Sequence, residues 1–227
     1  GEVTLTYRAW DQSGATFGKQ GTQVNASTQG GSTAFSSTTD TASLLVTAID
    51  DPAVLHSSIG VTSASEGVAI VIDDQLSVND SDSATLASAT VSVTGHFVQG
   101  EDLLGFTNNG LDMGNISASY DAGTGVLTLS SSGHSATLAQ WQAALRAVTY
   151  TDPANNPSTL QRTISFTVND GTSDSAPVTK QLTVSTVNDA PLLTPASPTL
   201  TGIDETAIDN AGQTVASFIG SSISDGD

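Results

Sequence analysis

The chain has 227 residues, with 23 Asp or Glu against 5 Lys or Arg and a net charge of −18. A surface this acidic repels phosphate backbones and anionic lipid, which argues against a nucleic-acid partner. Cysteine is absent, which excludes disulfides, thiolate metal sites and cysteine nucleophiles, and leaves bound cations as the obvious staples.

Taken in order, the segments read as strands. "EVTLTYRAW" opens the chain as a strand and lacks the basic and apolar regions of a signal peptide, which predicts a slice of something longer. "TASLLVTAI" follows, and then an acidic joint, "TAIDDPAVL" (47–55). "GVAIVI" (67–72) is about the longest apolar run, far short of a membrane span. "ATVSVTG", "ISASY" and "VLTLSSS" alternate apolar and polar residues, and "YDAGTG" (120–125) between the last two reads as a hairpin turn. One helical pattern occurs, "SATLAQWQAALRAV", where Leu138, Trp141, Leu145 and Val148 recur on one face and Ser135 stands where a cap belongs. In "RTISFTVND" the residues Ile164, Phe166 and Val168 share a face, as do Leu182 and Val184 in "KQLTVSTVN". A second joint, "TVNDAPLL" (186–193), follows.

Only 12% of residues are charged, while Ser, Thr, Gly, Ala and Val dominate. That is the profile of an all-β extracellular protein and not of a disordered chain. The expected fold is all-β, built of Greek-key β-sandwiches with one short helix. Its core should hold Val91, Val93, Leu127, Leu129, Trp141, Leu145, Ile164, Phe166, Leu182 and Val184.

The two joints align. Leu44, Val46, Asp51 and Leu55 match Leu182, Val184, Asp189 and Leu193 at an offset of 138; Ile49 faces Val187 and Asp50 faces Asn188. Upstream, "LTYRAWDQ" (5–12) parallels "ISFTVNDG" (164–171), placing Asp11 opposite Asp170. Downstream, "SVNDSD" (77–82) parallels "SISDGD" (222–227), matching Asp80 and Asp82 to Asp225 and Asp227. Glu66 lies between joint and D-x-D, with Asp204-Glu205 in the corresponding place. A repeat of this length is domain-sized. The expected organisation is the end of one domain (1–51), one whole domain (52–190) and the start of a third (191–227).

Glu early, then D-x-D, then "VNDG" before the last hairpin and "VNDAP" at the exit form a pattern that resembles cadherin-like tandem repeats. It is most similar to those of giant, type I-secreted bacterial surface proteins and RTX-type adhesins, over essentially the whole chain. "YRAWDQSGATFGKQGTQVNASTQGGSTAFSSTTDTAS" looks like the closing half of one repeat type, and "LTGIDETAIDNAGQTVASFIGSSISDGD" like the opening of the same type. Ile49-Asp50-Asp51-Pro52 departs from the pattern by inverting the Ala-Pro order. The resemblance implies a cell-surface location and a calcium-rigidified extender, or stalk, of an adhesin, as in biofilm fibres.

Chain direction says which acids can meet. With Asp50-Asp51 at the top of the middle domain, the first strand runs down to Glu66 and the second returns Asp80 and Asp82 to the top. The last strand (178–187) runs down, so its partner (162–168) runs up, with Asp170 at the top and Asp152 at the bottom. The top cluster is Asp50, Asp51, Asp80, Asp82 and Asp170; the bottom cluster is Glu66, Asp152, Asn188, Asp189, Asp225 and Asp227. Two carboxylates about 4 Å apart repel by roughly 1 kcal/mol in water and several-fold more near a protein surface. A hard cation with six to eight oxygen ligands relieves that repulsion, and an oxygen-only set favours calcium over zinc or magnesium. Each Asp taken singly also fits an ordinary turn-capping role.

Nothing points to an enzyme. "G-x-S-x-G" is absent, and His56, His96 and His134 have no recognisable partner. An EF-hand loop is excluded, because "DSDSAT" lacks its Gly and closing Glu. An alternative is a carbohydrate- or peptide-binding module that uses the long segment 98–114 or a platform of Trp10, Trp141, Tyr7, Tyr120 and Tyr150. Another is a subunit of a non-covalent fibre, with neighbouring repeats or chains pairing through the incomplete terminal domains.

Overall fold

The computed structural model describes residues 1–14, 17–194, 197, 199, 202–206, 208–209, 212–219 and 222–225, without the side chains of 218 and 219. The chain forms two compact units, 1–49 and 50–227. In the first, β1 (Glu2–Tyr7) and β2 (Asp40–Leu45) pair antiparallel as a hairpin exposed along both strands. Trp10 bridges to Phe35, and the two rings stack at 6.0 Å.

The second unit contains a β-sandwich. Its strands are β3 (Val54–His56), β4 (Val61–Ser65), β5 (Ile70–Val71), β6 (Ser77–Asn79), β7 (Ser88–Gly95), β8 (Leu103–Gly105), β9 (Ile116–Asp121), β10 (Val126–Ser131), β11 (Thr149–Thr151), β12 (Arg162–Asn169) and β13 (Val178–Ser185). One sheet runs β4-β13-β12-β7-β10-β9; the other layer is made of β5-β11-β8 and the pair β3-β6. The long strands show why. Along β12 buried and half-buried residues alternate, so Ile164, Phe166 and Val168 enter the core while Thr163, Ser165 and Thr167 face out. Ala89, Val91 and Val93 of β7 and Leu182 and Val184 of β13 do the same. All of the expected core residues are buried in one cluster. The segment 98–114 is not an open loop. It contains β8, and Asp102, Leu104 and Met113 within it are buried, while Gln99, Gly100 and most of the 107–114 turn stay exposed.

Helix α1 (Leu138–Arg146) buries Trp141, Ala144 and Leu145, and the Trp141 indole donates to Leu86 O at 3.1 Å. Its cap is Thr137 and not Ser135, because the helix begins at Leu138, the first residue of the apolar periodicity. Thr137 Oγ1 accepts from the Gln140 amide while Gln140 Oε1 accepts from the Thr137 amide, a reciprocal capping box. Thr137→Ala should therefore cost about 1 kcal/mol. Urea unfolding measures it, and an unchanged midpoint would mean that packing alone holds the helix.

The flanking segments repeat the middle domain's pairings residue for residue. Val3↔Leu44, Leu5↔Ala42 and Tyr7↔Asp40 in the hairpin correspond to Arg162↔Leu182, Ile164↔Lys180 and Phe166↔Val178. Past the second joint, β14 (Leu192–Leu193) and β15 (Ile223–Ser224) pair as Leu192↔Ser224 and Leu193↔Ile223, the counterparts of Val54↔Asn79 and Leu55↔Val78. A short helix, α2 (Val215–Ile219), lies between them in sequence.

Candidate metal centre

Five acids gather at the upper end of the sandwich. Because β3 and β6 are antiparallel with Val54 opposite Asn79, the residues before Val54 and after Asn79 emerge together. The Asp51 amide donates to Asp82 Oδ2 at 3.1 Å, and Ser81 Oγ donates to Asp51 Oδ2 at 3.2 Å. The hairpin turn after β12 joins them: Ser173 Oγ lies 2.7 Å from Asp50 Oδ2 and 3.1 Å from Asp170 Oδ2. A cleft lined by Asp51, Pro52, Val54, Asn79, Asp80 and Ser81 opens there.

Several of these acids also cap turns. Asp80 Oδ1 accepts from the Asp82 and Ser83 amides, and Asp170 Oδ1 from those of Thr172 and Ser173. The Ser173 and Thr172 amides hold the Asp170 carboxyl below the usual range. Asp82 behaves oppositely. The Asp51 amide lowers its pKa, but the contact with Asp80 and the charges of Asp80 and Asp50 raise it on balance.

The lower end is set by the parallel pairing of β4 with β13, which brings Ser65 beside Ser185. The Glu66 amide donates to Ser185 O at 3.1 Å and the Gly67 amide to Asp152 O at 2.6 Å, so Glu66, Asp152 and the joint after β13 share this end. Gly67, at φ 72°, allows the turn. Asn188 Nδ2 donates to Asp189 O at 2.7 Å. Asp225 is exposed just past β15, and Asp227 lies outside the described residues.

Among the described residues, the buried side-chain polar atoms without a hydrogen-bond partner are Glu66 Oε2, Asp80 Oδ2 and Asp189 Oδ2. All three belong to the candidate ligand set, one at the upper end and two at the lower. A carboxylate oxygen removed from water with nothing donating to it is costly, and a bound cation is one of the partners that would offset that cost. Among the described residues no three His, Asp or Glu side chains stand close enough to hold a metal ion as they are placed. Asp51 and Asp82 of the upper cluster are exposed.

Asp152 has other business. Its carboxylate is fully buried, with Oδ2 3.4 Å from the Arg162 guanidinium and Oδ1 capping the Ala154 amide. Arg162, itself fully buried, also pairs with Asp102 at 2.8 Å and with Glu101 at 3.5 Å, and donates to Ser158 O and Leu160 O. The Tyr150 hydroxyl donates to Asp102, and burial followed by that contact pushes its pKa up, so it stays protonated. Burial first, then the charges of Glu101 and Asp102, raise the Asp152 pKa despite the Ala154 amide and Arg162. Sequence reasoning missed this network. Its signal was Arg162 in phase with Ile164, Phe166 and Val168 on a core-facing strand.

The other candidates disperse. Trp141 and Tyr150 are core, Tyr120 donates to Asp102 O at 2.6 Å, and Trp10 and Tyr7 lie in the other compact unit, so no stacking platform forms within the sandwich. His96 Nδ1 lies 2.8 Å from Gln161 O, and His56 and His134 are exposed.

No family model matches the chain. Over 100 residues it is 35% identical to Halomucin of Haloquadratum walsbyi, a stretch covering 44% of this chain and 1% of that protein. The chain is thus similar to a small piece of its relative. Domains 4 and 5 of the S-layer protein SbsC overlay 65% of this chain and 59% of theirs, at 14% identity and a TM-score of 0.28, too low to carry an argument. Among the described residues no helix is long and apolar enough to cross a membrane.

Proposed function

We propose that this is a structural, non-enzymatic repeat module of an extracellular cell-surface protein, stiffened by calcium at its joints. Composition, the internal repeat and the likeness to Halomucin support the surface module. The finer reading is an extender of the kind found in cadherin-like adhesins, holding another part of the protein away from the cell. The observation that carries calcium is the coincidence of the three unpartnered buried carboxylate oxygens with the two acidic ends. Asp50, Asp51, Asp80, Asp82 and Asp170 would supply the upper site; Glu66, Asn188, Asp189 and Asp225 would supply the lower, with Asp152 shaping it through its backbone carbonyl.

Melting of the whole chain tests this. Calcium at a hundredfold excess over its dissociation constant should add about 2.7 kcal/mol of stability, reversed by chelator. Asp80→Asn and Asp189→Asn should each remove part of the gain, with magnesium a poor substitute. If calorimetry finds no calcium binding at millimolar concentration and chelation leaves melting unchanged, the joints are ordinary capped turns.

A further inference from the structure

The opening strand of the sandwich changes sheets. Val54–His56 pair with β6 in one layer, and Val61–Ser65 pair with β13 in the other. The crossover between them, 57–60, turns at Gly60 with φ 96°. Apolar packing does not hold it, because Ile59 is fully exposed. Two buried charges do. Lys180 of β13 is 5% exposed, and its ammonium donates to Ser58 Oγ at 2.6 Å, Ser58 O at 3.2 Å and Ile59 O at 3.5 Å. Asp73, 3% exposed, takes the donors instead. Its Oδ2 accepts from Ser57 Oγ at 2.9 Å and from the Ser58 amide at 2.8 Å, and its Oδ1 from the Gln75 amide at 3.1 Å. Burial raises the Asp73 pKa, but the Ser58 and Ser57 donors outweigh it and hold the carboxyl below its usual range. Among the described residues neither side chain pairs with an opposite charge. A buried charge is costly unless hydrogen-bonded, and here the crossover supplies the bonds. The strand itself does not demand a lysine, since Ala42 holds the corresponding position in the β1–β2 hairpin.

We propose that Lys180 and Asp73 form a latch on this crossover, dividing the middle domain into a strap, 52–60, that opens by itself and a body that stays folded. Besides the latch, the strap is held by the short β3–β6 pair and by the burial of Ala53 and Leu55. The body keeps β7, β10, β12 and β13, whose ladders join one another and do not run through the strap. A segment with so few attachments of its own is the kind that opens below the free energy of global unfolding. The latch also sits at the head of the β4–β13 ladder, because Lys180 precedes Gln181, the first β13 residue that β4 meets. A pull from the Asp51 side reaches the crossover before it reaches that ladder. The inference is independent of the calcium reading, and chelator throughout the experiment keeps the two apart.

Hydrogen exchange of the whole chain in chelator, followed by mass spectrometry of its peptides, is the test. In Lys180→Met and in Asp73→Asn, exchange across 53–60 should quicken at least about tenfold while β7 and β12 keep their wild-type rates. Ser58→Ala removes only the hydroxyl and should move the same segment by less. The two charge variants combined should quicken the strap by less than the product of their single effects, because both act on one crossover. Unchanged exchange of the strap in both charge variants overturns the proposal, since the packing of Ala53 and Leu55 would then hold it. Equal quickening in strap and body also overturns it, as does failure of all three single variants to fold, because these groups would then hold the whole sandwich. Effects that simply multiply in the double variant would mean two separate contacts and no latch.

Discussion

Arg162→Ala is expected to lower the unfolding free energy by about 3–5 kcal/mol at neutral pH, the usual cost of removing one partner from a buried ion pair. The substitution leaves Asp102 and Asp152 fully buried, and Glu101 partly so, with no cation among them. Arg162→Lys should rescue little. The fork spreads its donors over Asp102, Asp152, Ser158 O and Leu160 O, and a single ammonium cannot reach them all. The loss should depend on pH in a defined sense. The Asp152 pKa is already raised by burial, and removal of the guanidinium, which lowers it, raises it further. A carboxyl with a raised folded pKa takes up a proton more readily folded than unfolded. The variant's penalty is therefore full at pH 7 and shrinks as pH falls through the raised value toward the ordinary value near 4. Urea unfolding of both proteins at pH 7 and about 4.5 checks this. A loss below about 1 kcal/mol, or one of equal size at both pH values, would mean that the carboxylates find other partners.

Phe166→Ala should cost about 3–5 kcal/mol through lost burial and the cavity it leaves. Phe166 is fully buried between Val91 of β7 and Val178 of β13, on strands fixed from both sides. Its register counterpart, Tyr7, offers an internal control. In dilute monomer Tyr7→Ala should change stability by less than about 0.5 kcal/mol, because the ring is half exposed. Equal costs at the two positions would contradict the facing of both strands.

The strands and the core were legible because alternation with period two depends only on nearest neighbours and on which face is dry. Ile164, Phe166 and Val168 declare that face by themselves. The spacing of apolar residues to the joints also carries pairing register: Leu193 pairs with Ile223 as Leu55 pairs with Val78. The ends at which acids gather followed from strand direction. The parallel β4–β13 pairing puts Glu66 beside the exit of β13, and Ser173 ties Asp170 to Asp50. What lay out of reach was where each carboxylate points. Asp152 reads as a turn residue in "YTDP", yet its side chain turns inward to Arg162, and the third acid pinned there, Asp102, is sixty residues from that arginine in sequence. No local pattern encodes such a partnership. The helix cap failed for a smaller reason: Ser135 and Thr137 are both capping residues, and in the fold the Ser131 side chain takes the Ser135 and Ala136 amides while Thr137 forms the box with Gln140.

The parallel run of β4 beside β13, from Val61↔Gln181 to Ser65↔Ser185, has one more consequence. The opening strands enter from the Asp51 end of the sandwich, and β13 leaves at the Asn188 end. A tension along the chain would draw these neighbours past each other in shear, loading the hydrogen bonds of the ladder together. A hairpin pulled from its open end would instead peel apart one bond at a time. Survival under tension is set by the barrier to unfolding and not by the equilibrium free energy. This middle domain can therefore resist a stretching flow better than its modest size would suggest.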